Sequence, residues 1–106
     1  MSRVERLRVA NTILTQLGGP RFFIMTGAAH PIAIENGVMF TLPARLARQG
    51  INRVRIELNA SDTYTMTTLK VNARQDESIE IQCESLIYCD QLEAVFEDMT
   101  GVYTRF

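Results

Sequence analysis

The stretch RVRIELNASDTYTMTTLKVNARQDESIEIQCESLIY, residues 53–88, decides the fold because it contains three strand-like segments joined by two polar connections. Every second residue from Val54 to Leu58 is apolar, as in a strand with one buried face. The second segment, residues 63–71, is rich in threonine and tyrosine, which favour strands, and the third spans residues 79–88. These features predict three antiparallel strands.

Two more strands are predicted around an Asn-Gly pair. Asn36 and Gly37 separate two short segments of alternating apolar residues, 32–34 and 38–42. This is the strongest short-range hairpin signal, because both turn residues tolerate positive φ. A β-branched residue resists positive φ, so we expect Gly37→Val to destabilise the domain by roughly 1–3 kcal/mol.

A helix is predicted at the N-terminal end of the chain. Ser2 and Glu5 form an S-x-x-E capping box, and Gly18 with Pro20 can end the helix. The apolar residues between these signals have helical spacing: Val4, Leu7, Ala10, Ile13, Leu14 and Leu17.

A second helix is predicted near the C-terminal end. Asp90 is a suitable N-cap, Glu93 follows three residues later, and Gly101 can end the helix. The residues after Gly101, 102–106, would form a short tail or strand. The apolar stripe of this helix consists of Leu92, Val95, Phe96 and Met99.

Two segments in the first half complete the predicted order. Residues 21–26, RFFIMT, are mostly apolar at both parities, which predicts a short buried strand followed by a loop at 27–31. Pro43 can open a short helix over residues 44–49. The order α-β-β-β-α-β-β-β-α predicts an α+β domain over residues 1–106. Its antiparallel sheet would have about five to six strands, with the N- and C-terminal helices packed on one face in two layers.

Composition and cysteine content indicate a single core in a reducing environment. The 106 residues, 46% hydrophobic and 22% charged, can fill one core without disulfides or a metal. No apolar run approaches the ~20 residues of a membrane span, and the charged start MSRVERLRVA is unlike a signal peptide. We therefore predict a cytoplasmic protein in which Cys83 and Cys89 are reduced thiols. On one straight strand they would lie roughly 20 Å apart, too far for a disulfide.

Charge is distributed unevenly along the chain. Residues 1–56 carry eight arginines against two glutamates, a net charge of +6, and residues 57–106 carry three basic against ten acidic residues, a net charge of −7. Such asymmetry suggests a charged partner. The alternative is that folding intermixes the two halves. Arginine outnumbers lysine ten to one, which suits carboxylate or phosphate recognition but also follows from a G+C-rich coding sequence.

The arginines of the first half are candidates for binding nucleic acid or a protein partner. Phe22, Phe23 or Tyr64 would supply the stacking surface that nucleic-acid binding needs. RNP-like, GXXG and zinc-finger patterns do not occur. The candidate arginines are Arg3, Arg6, Arg8, Arg45, Arg48, Arg53 and Arg55.

An acidic surface is predicted in the second half. Glu80, Gln82 and Glu84 occupy alternate positions of the last strand, and Glu93 and Glu97 lie one turn apart on the last helix. Because no base follows within reach along that helix, the two glutamates would repel each other mildly. Such a surface suits a basic partner, while the alternative for the strand glutamates is a solvated face.

The sequence contains no catalytic constellation. His30 is the single imidazole, in the predicted loop beside Thr26, and no nucleophile signature accompanies it. Gly18 and Gly19 follow a helix rather than opening one, the inverse of the P-loop order. We therefore predict no enzymatic activity, no cofactor and no metal site. A small enzyme centred on His30 is the remaining alternative.

Several short sequence segments, spread along nearly the whole chain, resemble those of a known group of proteins. They are TIL at 12–14 with QLGG at 16–19, RFFIMTGA at 21–28, LP at 42–43 with GIN at 50–52, DTY at 62–64, CDQL at 89–92 and TGVYT at 100–104. On these the chain resembles a group of small bacteriophage and prophage proteins with no assigned function. The resemblance implies a bacterial cytoplasm and a phage accessory role, and it brings no catalytic residues.

These observations predict a non-enzymatic, phage-type accessory protein that binds a host or phage macromolecule, in the first place a protein. The alternative is a nucleic-acid-binding module that uses the arginine-rich first half. A homodimer is also predicted, because complementary charge blocks and surplus apolar residues could meet between two copies. The competing account is that the tail at 102–106 folds back and covers the apolar surface within one chain.

Overall fold

The computed structural model describes residues 2–104, which form a five-stranded antiparallel sheet and three α-helices. The strands lie side by side in chain order, β1-β2-β3-β4-β5. The predicted α+β class with an antiparallel sheet is thereby confirmed. The elements are α1 (Arg3–Leu17), α2 (Pro20–Thr26), β1 (Ala29–Ile34), β2 (Gly37–Thr41), β3 (Arg53–Leu58), β4 (Tyr64–Asn72), β5 (Glu77–Ile87) and α3 (Leu92–Thr100).

The period-two pattern of the central strands produces the core. Ile56 of β3 pairs with Val38 of β2 on one side and with Met66 of β4 on the other, and all three side chains are fully buried. The intervening residues of β3, among them Arg53 and Arg55, point to the opposite face and are half-buried. The alternation seen in the sequence therefore separates a core face from a polar face, as predicted.

Three phenylalanines join the helices to the sheet. The ring of Phe40 in β2 lies 5.4 Å from that of Phe22 in α2 and 6.2 Å from that of Phe96 in α3, measured between centroids. Phe22 and Phe96 are themselves 4.9 Å apart in an edge-to-face arrangement. Rings at these separations stabilise one another beyond their area burial.

Residues 21–26 form helix α2, so the prediction of a buried strand was wrong. Gly18 ends α1 at φ 126, and Gly19 at φ 63 reverses the chain, so Pro20 occupies the first helical position where its missing N–H is not needed. The burial follows a helical period, because Phe22 and Thr26 are buried whereas Ile24 is 80% exposed. A run that is apolar at every position cannot distinguish these two periods.

The hairpin around residues 35–37 is confirmed, but Gly37 serves a different purpose from the one predicted. Asn36 takes the positive φ of 64°, and Gly37 does not. A Cβ built on Gly37 would overlap the carbonyl oxygen of Ile56 and lie 2.9 Å from the Cα of Glu57. Glycine is therefore required here by the close approach of β2 and β3 rather than by turn geometry.

The connection between β2 and β3 is not the helix predicted over residues 44–49. It is a turn followed by a short 3₁₀ helix, Arg48–Gly50, with Gln49 at φ 54. The guanidinium of Arg48 donates a 3.0 Å hydrogen bond to the carbonyl oxygen of Asp98 near the end of α3. This long-range contact replaces the local helical bonds that the sequence pattern suggested.

The N-terminal helix has the Ser2 half of the predicted capping box, and it is less buried than its apolar residues indicated. The hydroxyl of Ser2 accepts a 3.2 Å hydrogen bond from the backbone N–H of Glu5. Ala10, Ile13 and Leu17 are buried, whereas Val4 and Leu7 are exposed. The first two turns of α1 therefore lie outside the core.

The C-terminal helix begins differently from the prediction and ends as predicted. A 3₁₀ turn, Cys89–Gln91, precedes it, and the side chain of Gln91, not that of Asp90, accepts a 3.1 Å hydrogen bond from the N–H of Tyr88. Gly101 ends the helix in the left-handed conformation at φ 75. Residues 102–104 form no strand, and the rest of the predicted tail, 105–106, lies outside the described residues.

Within residues 2–104, every helix is too short or too polar to cross a lipid bilayer.

Candidate functional site

The two outer strands of the sheet differ in their ability to accept another strand. β1 has six residues, contains Pro31, which lacks an N–H, and loses regular register between Ala29 and Ile32. β5 has eleven residues and no proline, and among the described residues it pairs only with β4. An open edge presents unpaired N–H and C=O groups to a partner chain, and prolines and bulges block such pairing. β5 is therefore the better candidate for binding an extended segment.

A groove lies beside the open edge, between the end of β5 and α3. Its volume is about 390 Å³, which is at the lower end of the range for ligand sites. Its apolar lining comes from both elements, and a smaller recess beside it continues past Gln82, Cys83 and Met99. The residues that line the groove are Glu84, Ser85, Leu86, Ile87, Gln91, Ala94, Val95 and Asp98.

The groove and the open edge are acidic. Residues 77–100, which contain β5 and α3, carry seven acidic residues and no basic residue. Glu84 from β5 and Asp98 from α3 border both the groove and the recess, and neither is lined by an arginine or lysine from residues 2–104. Glu80 lies further along β5 and is exposed. Two elements thus bring carboxylates to one groove, and the nearest cation recorded among the described residues, Arg48, bonds to the backbone carbonyl of Asp98 rather than to a carboxylate.

Two of the four predicted acidic residues have contacts within the chain. A carboxylate oxygen of Glu93 lies 3.5 Å from a guanidinium nitrogen of Arg21, so a base does relieve the expected repulsion. The other oxygen of Glu93 accepts a 3.0 Å hydrogen bond from the hydroxyl of Thr104, and Glu97 accepts a 2.9 Å bond from the Thr104 N–H. Because Thr104 is fully buried, Glu93 and Glu97 hold the C-terminal segment against α3.

The predicted arginines do not share a single element or face. Arg3, Arg6 and Arg8 lie on α1, while Arg53 and Arg55 lie on the polar face of β3. The guanidinium groups of β3 already have partners within the chain. Arg55 contacts the carboxylate of Glu57 at 3.1 Å, and Arg53 donates to the carbonyl of Asn52 at 2.9 Å.

The remaining predicted arginines are also dispersed. Arg48 bonds to the end of α3 as described, and Arg45 is exposed in the turn before it. Arg6 lies 3.9 Å from a carboxylate oxygen of Glu35. Folding therefore mixes the two charge blocks in part, because Arg21 and Arg48 of the first half contact α3. Glu84 of β5 and Asp98 of α3 still meet at the groove.

The aromatic residues proposed for base stacking are mostly inaccessible. Phe22 and Tyr64 are buried in the core, and Phe23 is half-buried against it. Burial raises the pKa of the Tyr64 hydroxyl above 10, an effect that a hydrogen bond with Gln16 partly offsets. A core phenol of this kind cannot stack on a base without unfolding.

His30 lies within β1, not in a loop as predicted. The imidazole Nδ1 lies 3.3 Å from the hydroxyl of Thr41, and that hydroxyl donates to the carbonyl of Ala29 at 3.0 Å. Thr26, expected beside it, instead donates to the carbonyl of Phe22 at 2.7 Å. Among the described residues, the side-chain partner of the imidazole is therefore a threonine whose hydroxyl already bonds to the backbone of β1.

The two thiols lie on different elements. Cys83 is in β5 and Cys89 follows the end of that strand, and both are exposed and free. In the part of the chain from 2 to 104, no three histidine, cysteine or acidic side chains cluster closely enough to hold a metal ion.

In comparisons with known proteins, no family model, curated protein or solved structure matches the chain. The site must therefore be argued from its own residues. Sequence reasoning identified Glu80 and Glu84 but missed Asp98 and Val95 as parts of a groove. The signal was present as an acid-only run over 77–100, but its pairing with an apolar recess depends on where α3 lies against β5.

Proposed function

We propose that this chain is a non-enzymatic accessory protein that binds another protein through the open edge of β5 and the groove beside it. The partner presents a basic, extended segment that adds to the sheet as a sixth strand. The observation that carries the proposal is the combination of an eleven-residue edge strand with an adjacent groove in which the charged lining residues, among those described, are both acidic, Glu84 and Asp98. Strand addition supplies affinity through main-chain hydrogen bonds and specificity through side-chain pockets.

Charge complementarity favours a basic partner over a second copy of the same strand. Two β5 strands paired antiparallel about Gln82 would place Glu80 of one chain opposite Glu84 of the other, twice over, and like charges on paired strands are destabilising. A lysine- or arginine-containing strand instead meets opposite charge. The predicted homodimer is therefore not proposed through this edge.

A phage-type accessory role in a bacterial cytoplasm agrees with this mode of binding. Small accessory proteins that act without chemistry need a surface that recognises a partner, and the β5 edge offers one. Exposed thiols at Cys83 and Cys89 would remain reduced in that compartment.

Binding can be tested with a defined probe, the end-blocked peptide KVKVKVKV, which alternates basic and aliphatic residues. We expect the protein to bind this peptide in a fluorescence anisotropy titration at low salt. The double variant Glu84→Gln/Asp98→Asn should bind three- to tenfold more weakly, because an exposed ion pair contributes up to about 1 kcal/mol and 1.4 kcal/mol corresponds to tenfold in affinity.

A matched control removes the same number of negative charges at sites away from the groove. Asp62→Asn/Asp76→Asn replaces two turn aspartates at φ 61 and φ 52, where asparagine is well tolerated. This variant should bind as the wild type does. Equal weakening by both double variants would indicate only a general field effect, and no binding of the peptide by the wild type would contradict the proposal.

The nucleic-acid alternative predicts a different result. Binding of single-stranded DNA or RNA would weaken steeply with salt and would depend on the exposed arginines Arg3, Arg8 and Arg45. The dispersed arginines and buried aromatic rings give this alternative less support. Tight, salt-dependent binding of an oligonucleotide together with no binding of the peptide would favour it.

A further inference from the structure

Leu86 occupies a backbone conformation that suits glycine. Tyr64 of β4 pairs with Ile87, and Met66 pairs with Glu84, so β5 has one residue more than β4 over this interval. The result is a β-bulge, and Leu86 lies in it at φ 58. Bulges of this kind commonly place glycine in the left-handed region, where a side chain with a Cβ is strained.

The other described non-glycine residues at positive φ are of types that enter the left-handed region more readily than leucine, or they have an unbranched side chain. They are His30, Asn36, Gln49, Asp62 and Asp76. Leu86 is the one aliphatic residue among those described, and leucine has no polar side chain that could bond to the local backbone.

The fold gains little from leucine at this position. The side chain is 70% exposed and is not part of the core cluster, yet it lines the groove beside Ile87 and Val95. Leu86 thus combines an exposed aliphatic side chain with a strained backbone conformation, and its side chain lies outside the core cluster. Positions where local preference and structure disagree in this way concentrate at functional sites.

We infer that Leu86 is the apolar contact residue of the groove, where it packs against an aliphatic side chain of the bound strand. This inference rests on the proposed function and restricts the sequence that a partner segment can have. The partner segment carries an aliphatic residue next to its basic residues, so that one side chain enters the groove at Leu86 while a neighbouring cation lies near Glu84 or Asp98. The site would then bind amphipathic basic strands more tightly than segments that carry positive charge alone.

The test exchanges Leu86 for asparagine, which adopts positive φ more readily and lacks the aliphatic contact. Leu86→Asn should raise the melting temperature by about 4 °C through relief of strain, while its affinity for KVKVKVKV falls about fivefold or more. Ile32→Asn is the matched control, because Ile32 is an exposed aliphatic residue of the other edge strand, β1, and lies outside both β5 and the groove. That control should leave the affinity unchanged.

A second peptide, KAKAKAKA, separates direct contact from a general effect. The wild type should prefer the valine peptide, and Leu86→Asn should lose most of that preference. If the wild type binds but Leu86→Asn binds equally well with the same preference, the inference about Leu86 is wrong and the proposed function stands. If Leu86→Asn lowers the melting temperature, Leu86 is a structural residue and the inference is again wrong. If the wild type binds neither peptide, the proposed function itself fails.

Discussion

Phe22→Ala is expected to lower the free energy of unfolding by about 3–5 kcal/mol, the usual cost of removing a buried phenylalanine ring. Phe22 is fully buried and its ring contacts Phe23, Phe40 and Phe96. It is the residue through which α2 reaches both the sheet and α3, so the cavity would open at the centre of the core. Urea unfolding followed by far-ultraviolet circular dichroism measures the change.

Ile24→Ala is the control for this prediction. Ile24 lies two residues further along α2 and is 80% exposed, so its truncation should change the free energy of unfolding by no more than about 0.5 kcal/mol. If residues 20–26 formed a buried strand, Phe22 and Ile24 would lie on the same face, and truncating either one would lower the free energy of unfolding. A loss of several kcal/mol from Ile24→Ala would contradict the helical assignment of residues 20–26.

Gly37→Ala is expected to destabilise the domain by about 3 kcal/mol or more, at or beyond the upper end of the usual cost of overpacking. The added Cβ would overlap the carbonyl oxygen of Ile56 and crowd the Cα of Glu57. Both obstacles are backbone atoms of β3, which cannot rotate away as a flexible side chain could. The β2–β3 ladder must therefore separate locally to admit the methyl group.

Gly37→Asn distinguishes this steric reason from a conformational one. If Gly37 were needed for positive φ, asparagine would be tolerated better than alanine, because asparagine enters the left-handed region more readily. With a steric cause, the two variants should lose similar amounts of stability in the same urea titration. An asparagine variant close to the wild type in stability would contradict the steric account.

The sequence predicts the sheet better than it predicts the first half of the chain. The alternation of apolar and polar residues in β3 matches the burial of its side chains, whereas β4 buries the consecutive residues 66–69 and β5 is exposed at nearly every position. Residues 21–26 show no alternation of apolar and polar residues. Their helical state depends on Gly19 turning the chain and Pro20 starting a new helix, two local events that a purely apolar pattern does not reveal.

The candidate site was predicted in part because charge is visible in the sequence but spatial arrangement is not. Glu80 and Glu84 follow from strand alternation alone. The internal contacts of Glu93 and Glu97 with Thr104 depend on the path of the chain after Gly101. Leu86 shows no signal in the sequence, because a bulge depends on the register of two strands and cannot be inferred from one of them.

The most direct test of the account is amide hydrogen exchange, measured by NMR with and without saturating KVKVKVKV. If the peptide adds to the sheet, the N–H groups of β5 that do not bond to β4 should become protected, while those of β1, Ala29–Ile34, should be unchanged. Protection confined to β1 or α1, or binding without new protection in β5, would contradict strand addition at the acidic edge.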